Sequence, residues 1–152
     1  MGTWSKFYGR AEWERRLKRI PRALREDVMS ANEKSVRLMA GQMRAWAPVR
    51  TGDLRRSIKV TPPGGEFPPL GRISRGRVGK MQWGVSVGDE KAWYAPFVEW
   101  GTKPHMTAGL FVGHHPGTIA RPFFYPTYRL FKRRIKARAT RAMKKAIKRS
   151  GR

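Results

Sequence analysis

The sequence predicts an α+β domain in which long N-terminal and C-terminal helices pack on a small antiparallel sheet, with extended loops between them. Three observations carry this. Apolar residues recur at helical spacing near both ends of the chain, a strand-like alternation runs through 81–88, and two stretches rich in Gly and Pro, 61–79 and 103–119, separate the pieces. A chain of 152 residues has the usual size of one domain and is long enough to bury a core. Residues 1–152 are therefore read as a single unit of three regions: a helical region 1–47, sheet and long loops over 48–121, and a basic C-terminal helix over 122–152.

The first helix is expected over 10–47, with Pro21 either sitting in a first turn or interrupting it. Leu17, Ile20, Leu24, Val28, Ala31 and Leu38 recur at steps of three, four or seven, and Val36, Met39, Met43 and Trp46 widen that face. Such a stripe is the mark of core packing. Pro48 ends the pattern, because the residue before a proline avoids the α conformation. In the following segment Gly52 can take positive φ, and Thr51 or Asp53 can cap a short helical turn. Ile58 and Val60 then alternate as a strand. The glycines and prolines of 61–79, with Arg72, Arg75, Arg77 and Lys80, predict a charged arm that buries little surface.

Met81, Trp83, Val85 and Val87 alternate with small or polar residues, which predicts a half-buried strand over 81–88. Tyr94 to Trp100 fits a strand or a short helical turn equally well, given Pro96. Residues 101–120 read as a second loop, bearing Gly and His. The last helix is expected to start at Pro122 or Pro126 and run to Arg149, with Tyr128, Phe131, Ile135, Ala139, Ala142, Met143 and Ala146 as its apolar stripe.

Charge is the strongest compositional signal. Thirty-four Lys and Arg stand against ten Asp and Glu, a formal net charge of +24. Self-repulsion on that scale disfavours an isolated compact monomer, and nucleic acid is the commonest polyanion to relieve it. A merely solubilising surface needs no such one-sided excess. The excess concentrates in the last helix: half of residues 129–152 are Lys or Arg, and no acid follows Glu99. Arg129, Lys132, Arg133, Lys136, Arg141, Lys144, Lys145 and Lys148 are the candidate contacts to DNA or to an acidic partner. That helix lacks the opposing Trp- and Leu-rich face of a membrane-surface helix and carries no base-reading signature, so DNA contact would be non-specific.

Catalytic chemistry has little to work with. The absence of cysteine excludes disulfides, thiol nucleophiles and cysteine zinc sites. Six of the ten acids fall in the first 53 residues, scattered along a helix and its cap. His105, His114 and His115 share one loop at a spacing that matches no metal signature, and no serine occupies a nucleophile elbow. No catalytic residue, metal or cofactor is expected. Glu99, between Val98 and Trp100, is expected to be buried and paired with an arginine, since an unpaired buried carboxylate is costly. Met1 to Leu17 holds no apolar run of signal-peptide length, and no segment has the ~20 apolar residues of a membrane span, so a soluble protein made in a reducing cytoplasm is expected.

Three segments carry a family resemblance. Ala47 to Ile58, APVRTGDLRRSI, is similar to an AP-x-x-TG-x-L-x-x-SI signature; Tyr94 to Thr102, YAPFVEWGT, to YA-x-x-VE-aromatic-GT; and Ala120 to Pro126, ARPFFYP, to an ARPF stretch that opens a last helix. Together and in this order they resemble the neck and tail-completion proteins of long-tailed phages, relatives of the minor tail protein Z of phage lambda. The resemblance implies a non-enzymatic virion subunit of the head-to-tail junction, made in the host cytoplasm. It implies a homo-oligomeric, hexameric ring that DNA passes through, serving as neck, tail-completion or tail-terminator piece. Head-closure or adaptor proteins and tail-terminator or tail-tube proteins would be its neighbours. It also marks Thr51, Gly52, Leu54, Ser57, Tyr94, Glu99, Trp100, Gly101, Arg121, Pro122 and Phe123 as motif or subunit-interface positions. The alternative that composition alone supports is a free-standing, non-specific nucleic-acid-binding protein, and a small nuclease using the histidines is the enzymatic rival.

Overall fold

A computed structural model describes residues 22–71, 73, 75–107 and 113–150. The portion of the first helix expected over 10–21, with Leu17, Ile20 and Pro21, lies outside the described residues, as do Arg72 and positions 108–112 of the second loop. In chain order the elements are helix α1 (Arg22–Trp46), helix α2 (Asp53–Arg56), strands β1 (Lys59–Thr61) and β2 (Gly84–Ser86), helix α3 (Ala95–Trp100), strands β3 (His105–Thr107) and β4 (Gly113–His115), and helix α4 (Phe124–Ser150).

Helices α1 and α4 form an antiparallel pair. Arg149 near the end of α4 meets Asp27 near the start of α1, and Arg138 donates to the Ser35 hydroxyl at 3.3 Å. Toward the other end, Met39, Ala40 and Met43 of α1 share one core with Phe123 and Phe131, closed by Ala47, Leu54, Ile58 and Ala95. Leu24, Val28 and Val36 continue the buried face of α1. Leu38 and Trp46, expected on that face, are instead 55 % and 48 % exposed. Val36, Met39, Ala40 and Met43 define the inward direction, and each residue turns the helix by 100°, which carries Leu38 off to the side.

β1 and β2 pair antiparallel, with Lys59 opposite Ser86, Val60 opposite Val85 and Thr61 opposite Gly84. Val60, Val85 and Val87 rest against the core as the alternation predicts. The strand itself is three residues rather than the eight of 81–88, and its small-residue face is not left to solvent. Gly84 and Ser86 are buried. Gly84 is covered by the 61–79 arm, contrary to the expectation that this arm buries little. A Cβ on Gly84 would stand 2.5 Å from Phe67 Cε1 and 2.9 Å from Val78 Cγ2, and Val78 is 6 % exposed.

The arm folds back on itself as an irregular antiparallel ribbon, bridged at Glu66–Arg77 and Leu70–Ile73. Arg75 fastens it to the strand end. Its Nε donates to the Pro68 carbonyl at 2.7 Å, its Nη1 to the Val87 carbonyl at 2.6 Å, and its Nη2 to the Gly88 carbonyl. Burial pulls the Arg75 guanidinium below its ordinary pKa, with Asp89 acting in the opposite sense. The segment 101–120 also departs from a plain loop: β3 and β4 form a second two-stranded sheet with His105 opposite His115 and Met106 opposite His114. Three-residue strands of His, Met, Thr and Gly carry no apolar alternation to reveal them.

Candidate assembly and nucleic-acid surface

The second and third motif segments meet at the start of α4, and residues of all three segments share one core. α3 starts at Ala95, with Pro96 in its first turn where no N–H is needed, and carries Glu99 inward at 4 % exposure. Glu99 Oε2 accepts the main-chain N–H of Phe123 and of Phe124, and Oε1 that of Tyr125, all at 2.9 Å. These are orphan amides of the first turn of α4, where the helix dipole also favours negative charge. Glu99 is thus a cap supplied from elsewhere in the chain. It is satisfied by amides and not by the arginine expected from the sequence.

Gly101 makes that geometry possible. Its φ of +69° and ψ of −179° suit glycine alone, and a Cβ there would stand 2.5 Å from the Thr118 carbonyl and 2.9 Å from the Ala120 nitrogen. Arg121 N–H then donates to the Val98 carbonyl at 2.8 Å, drawing the start of α4 onto α3.

The first motif ties α1 to the sheet. The Ser57 hydroxyl donates to the Leu54 carbonyl at 2.8 Å and accepts the Gly88 N–H at 3.0 Å. Arg55 Nε donates to the Ala47 carbonyl at 3.1 Å and Arg44 Nη2 to the Ile58 carbonyl at 2.7 Å, so cations of this region satisfy carbonyls at and beyond the end of α1. Gly52 takes φ +83° at the entrance to α2. Asp53 is held below the ordinary carboxylate pKa by a hydrogen bond from the Thr51 hydroxyl and then by Arg56, whose Nη2 lies at 2.7 Å.

Of the motif residues, Leu54, Ser57, Glu99 and Phe123 are at most 4 % exposed and serve the chain's own packing. Gly52, Tyr94 and Gly101 are half-buried. Thr51, Trp100, Arg121 and Pro122 face outward, Trp100 at 61 % exposure with its ring 5.0 Å from that of Tyr125. Trp93 and Phe97 are also exposed, at 57 % and 47 %, with their rings edge-to-face at 5.8 Å.

All eight cations singled out on the last helix, Arg129, Lys132, Arg133, Lys136, Arg141, Lys144, Lys145 and Lys148, are exposed. They lie along a 27-residue helix, roughly 40 Å at 1.5 Å per residue. The remaining cations of α4 have other work: Arg134 sits 5.6 Å over the Phe131 ring, while Arg138 and Arg149 reach α1. His105 and His115 stack at 5.1 Å across β3 and β4, and Gly117 N–H donates to His115 Nδ1 at 3.0 Å, so these rings fasten the ribbon. Among the described residues no group of three or more His, Asp or Glu gathers as a metal ion would require, and no helix is long and apolar enough to cross a membrane.

A small α+β scaffold with a strongly basic last helix and several exposed aromatic side chains defines a subunit characterised by its surfaces. The chain belongs to the bacteriophage HK97-gp10-like tail-component family, whose profile matches residues 11–101, more than half of its length. That match covers the first two motif segments almost completely and stops before β3, β4 and α4. No curated protein and no solved structure matched.

Proposed function

We propose that this phage tail component is a structural, non-enzymatic subunit of the head-to-tail junction, a neck, tail-completion or tail-terminator protein assembled as a homo-oligomeric ring of six copies through which DNA passes. The supporting observation is the exposed cationic face of α4, carried by a chain of net charge +24 in a family of phage tail components. A row of unbalanced cations displaces counterions from phosphates irrespective of sequence, which suits DNA that must move past. The same face would dock on an acidic ring above or below. Neighbouring head-closure or adaptor and tail-terminator or tail-tube proteins are the partners in this reading, the virion is the location, and no cofactor is required. The experiment is immunogold labelling of purified particles with antibody to this chain. Label at the junction of head and tail supports the proposal, and a protein absent from washed particles sinks it. Absence combined with tight, salt-sensitive duplex binding would favour the free-standing nucleic-acid-binding protein instead.

A further inference from the structure

The exposed cations of α4 do not form one straight stripe. Arg129, Lys132, Arg133 and Lys136 stand at positions i, i+3, i+4 and i+7, which is one helical face. Arg141, Lys144, Lys145 and Lys148 repeat that spacing twelve residues further on. At 1.5 Å and 3.6 residues per turn, this step advances the second quartet by about 18 Å and turns it by about 120°. Phe131, Ile135, Arg138 and Arg149 mark the side of α4 turned to α1, and that side lies more than about 100° from both quartets. The helix thus has one side on α1 and two open sides, each cationic over half its length. Exposed apolar residues occupy the other halves: Leu130 shares the direction of the second quartet and Ile147 that of the first, both at 54 % exposure.

A rod or flat surface lying along α4 would meet one open side and miss the quartet on the other. Two anionic walls, one on each flank, match both quartets. The major groove of B-form DNA supplies such walls: it is about 12 Å wide, admits an α-helix of about 10–12 Å diameter, and is bounded by the two phosphate strands. Midway between the quartets the side opposite α1 carries Ala137 and Thr140, both exposed and short, and the Thr140 hydroxyl donates to the Lys136 carbonyl at 3.0 Å. No bulk there holds the helix away from the groove floor. A single strand fits less well, because the aromatic residues of α4, Phe124, Tyr125, Tyr128 and Phe131, are half-buried or buried and offer no stacking platform. We propose that α4 seats in the major groove of duplex DNA, with the Arg129–Lys136 quartet on one strand and the Arg141–Lys148 quartet on the other. It rests on the reading above in taking DNA as the partner, and adds the form of nucleic acid and the two-sided contact.

The test measures binding of the full chain to a short fluorescent DNA duplex by anisotropy, beside double-stranded RNA of the same length. A-form RNA presents the same phosphates but a deep, narrow major groove that is closed to a helix. DNA is expected to bind at least about tenfold more tightly than RNA. Ala137→Trp keeps the charge and adds bulk between the quartets; it should lower DNA affinity toward the RNA level and leave RNA binding where it was. Replacing either quartet by Gln should reduce the slope of log K against log salt by similar amounts, up to about 3.6 for four phosphates. All these positions are exposed, so melting curves should coincide with that of the parent chain. Equal affinity for the two duplexes, an Ala137→Trp variant that binds DNA like the parent, or a slope that only one quartet changes overturns the groove seat. Particle labelling is scored separately: label at the head–tail junction without preference for DNA over RNA removes the groove seat and leaves the virion assignment standing, and a clear preference in a protein absent from particles does the reverse.

Discussion

Glu99 lies 4 % exposed with three main-chain N–H groups at 2.9 Å as its partners. Hydrogen bonds to a charged group contribute roughly 1.5–3 kcal/mol each, and leaving buried donors unpaired costs more than the bonds return. Glu99→Ala is therefore expected to lower unfolding free energy by about 3 kcal/mol or more, with Glu99→Gln intermediate, as read by urea titration. Equal stability of the Gln variant and the parent would show that the charge is dispensable. Gly101→Ala should cost at least ~1–3 kcal/mol for backbone strain, since main-chain atoms at 2.5 and 2.9 Å leave no room to relax. The sequence singled out Glu99 because it is a lone acid among apolar neighbours. It misassigned the partner because arginines are abundant in the sequence, whereas amides arriving 24 residues downstream become visible only when α4 is placed.

The long helices were legible as elements because their stripes repeat over many turns: Val28, Val36, Met39 and Met43 on α1, and Phe131, Ile135 and Ala146 on α4, all face inward at least in part. The arm was not, because its apolar residues, Phe67, Leu70 and Val78, are too far apart to form a periodic pattern. Their partners are glycines, Gly84 and Gly88, whose role is to leave space. Gly84→Ala is expected to lever Phe67 away and destabilise the fold, and Phe67→Ala to remove part of that penalty. A double-mutant cycle should return a favourable coupling of roughly 0.5–3 kcal/mol. Strict additivity would mean that arm and strand move independently.

For the molecule as a whole, net charge and motif order pointed to a phage tail component, and the family match agrees at that level. Which apolar side chains face solvent was beyond reach of the sequence, because the exposure of Phe97, Trp100 or Leu38 depends on which side each helix buries. The basic face gives a prediction at this scale. Replacing Lys132, Lys136, Lys144 and Lys148 by Gln should reduce the slope of log K against log salt for duplex binding by roughly 0.9 for each phosphate that is no longer neutralised, equally for unrelated duplexes. An unchanged slope would direct that face toward an acidic protein.

Capping α4 from α3 also has a topological consequence. Val98 to Arg121, Gly101 against Thr118, and Glu99 to Phe123 pin both ends of the β3–β4 segment to the same place. Chain length between such pinned ends is inexpensive to change, about 0.6 kcal/mol for each doubling. An epitope tag inserted between Thr107 and Gly113 should therefore leave the melting transition nearly where it was, whereas the same tag between Trp100 and Gly101 should abolish folding. Variation in the length of this segment would then be a way for the subunit to meet differently shaped neighbours on an unchanged core.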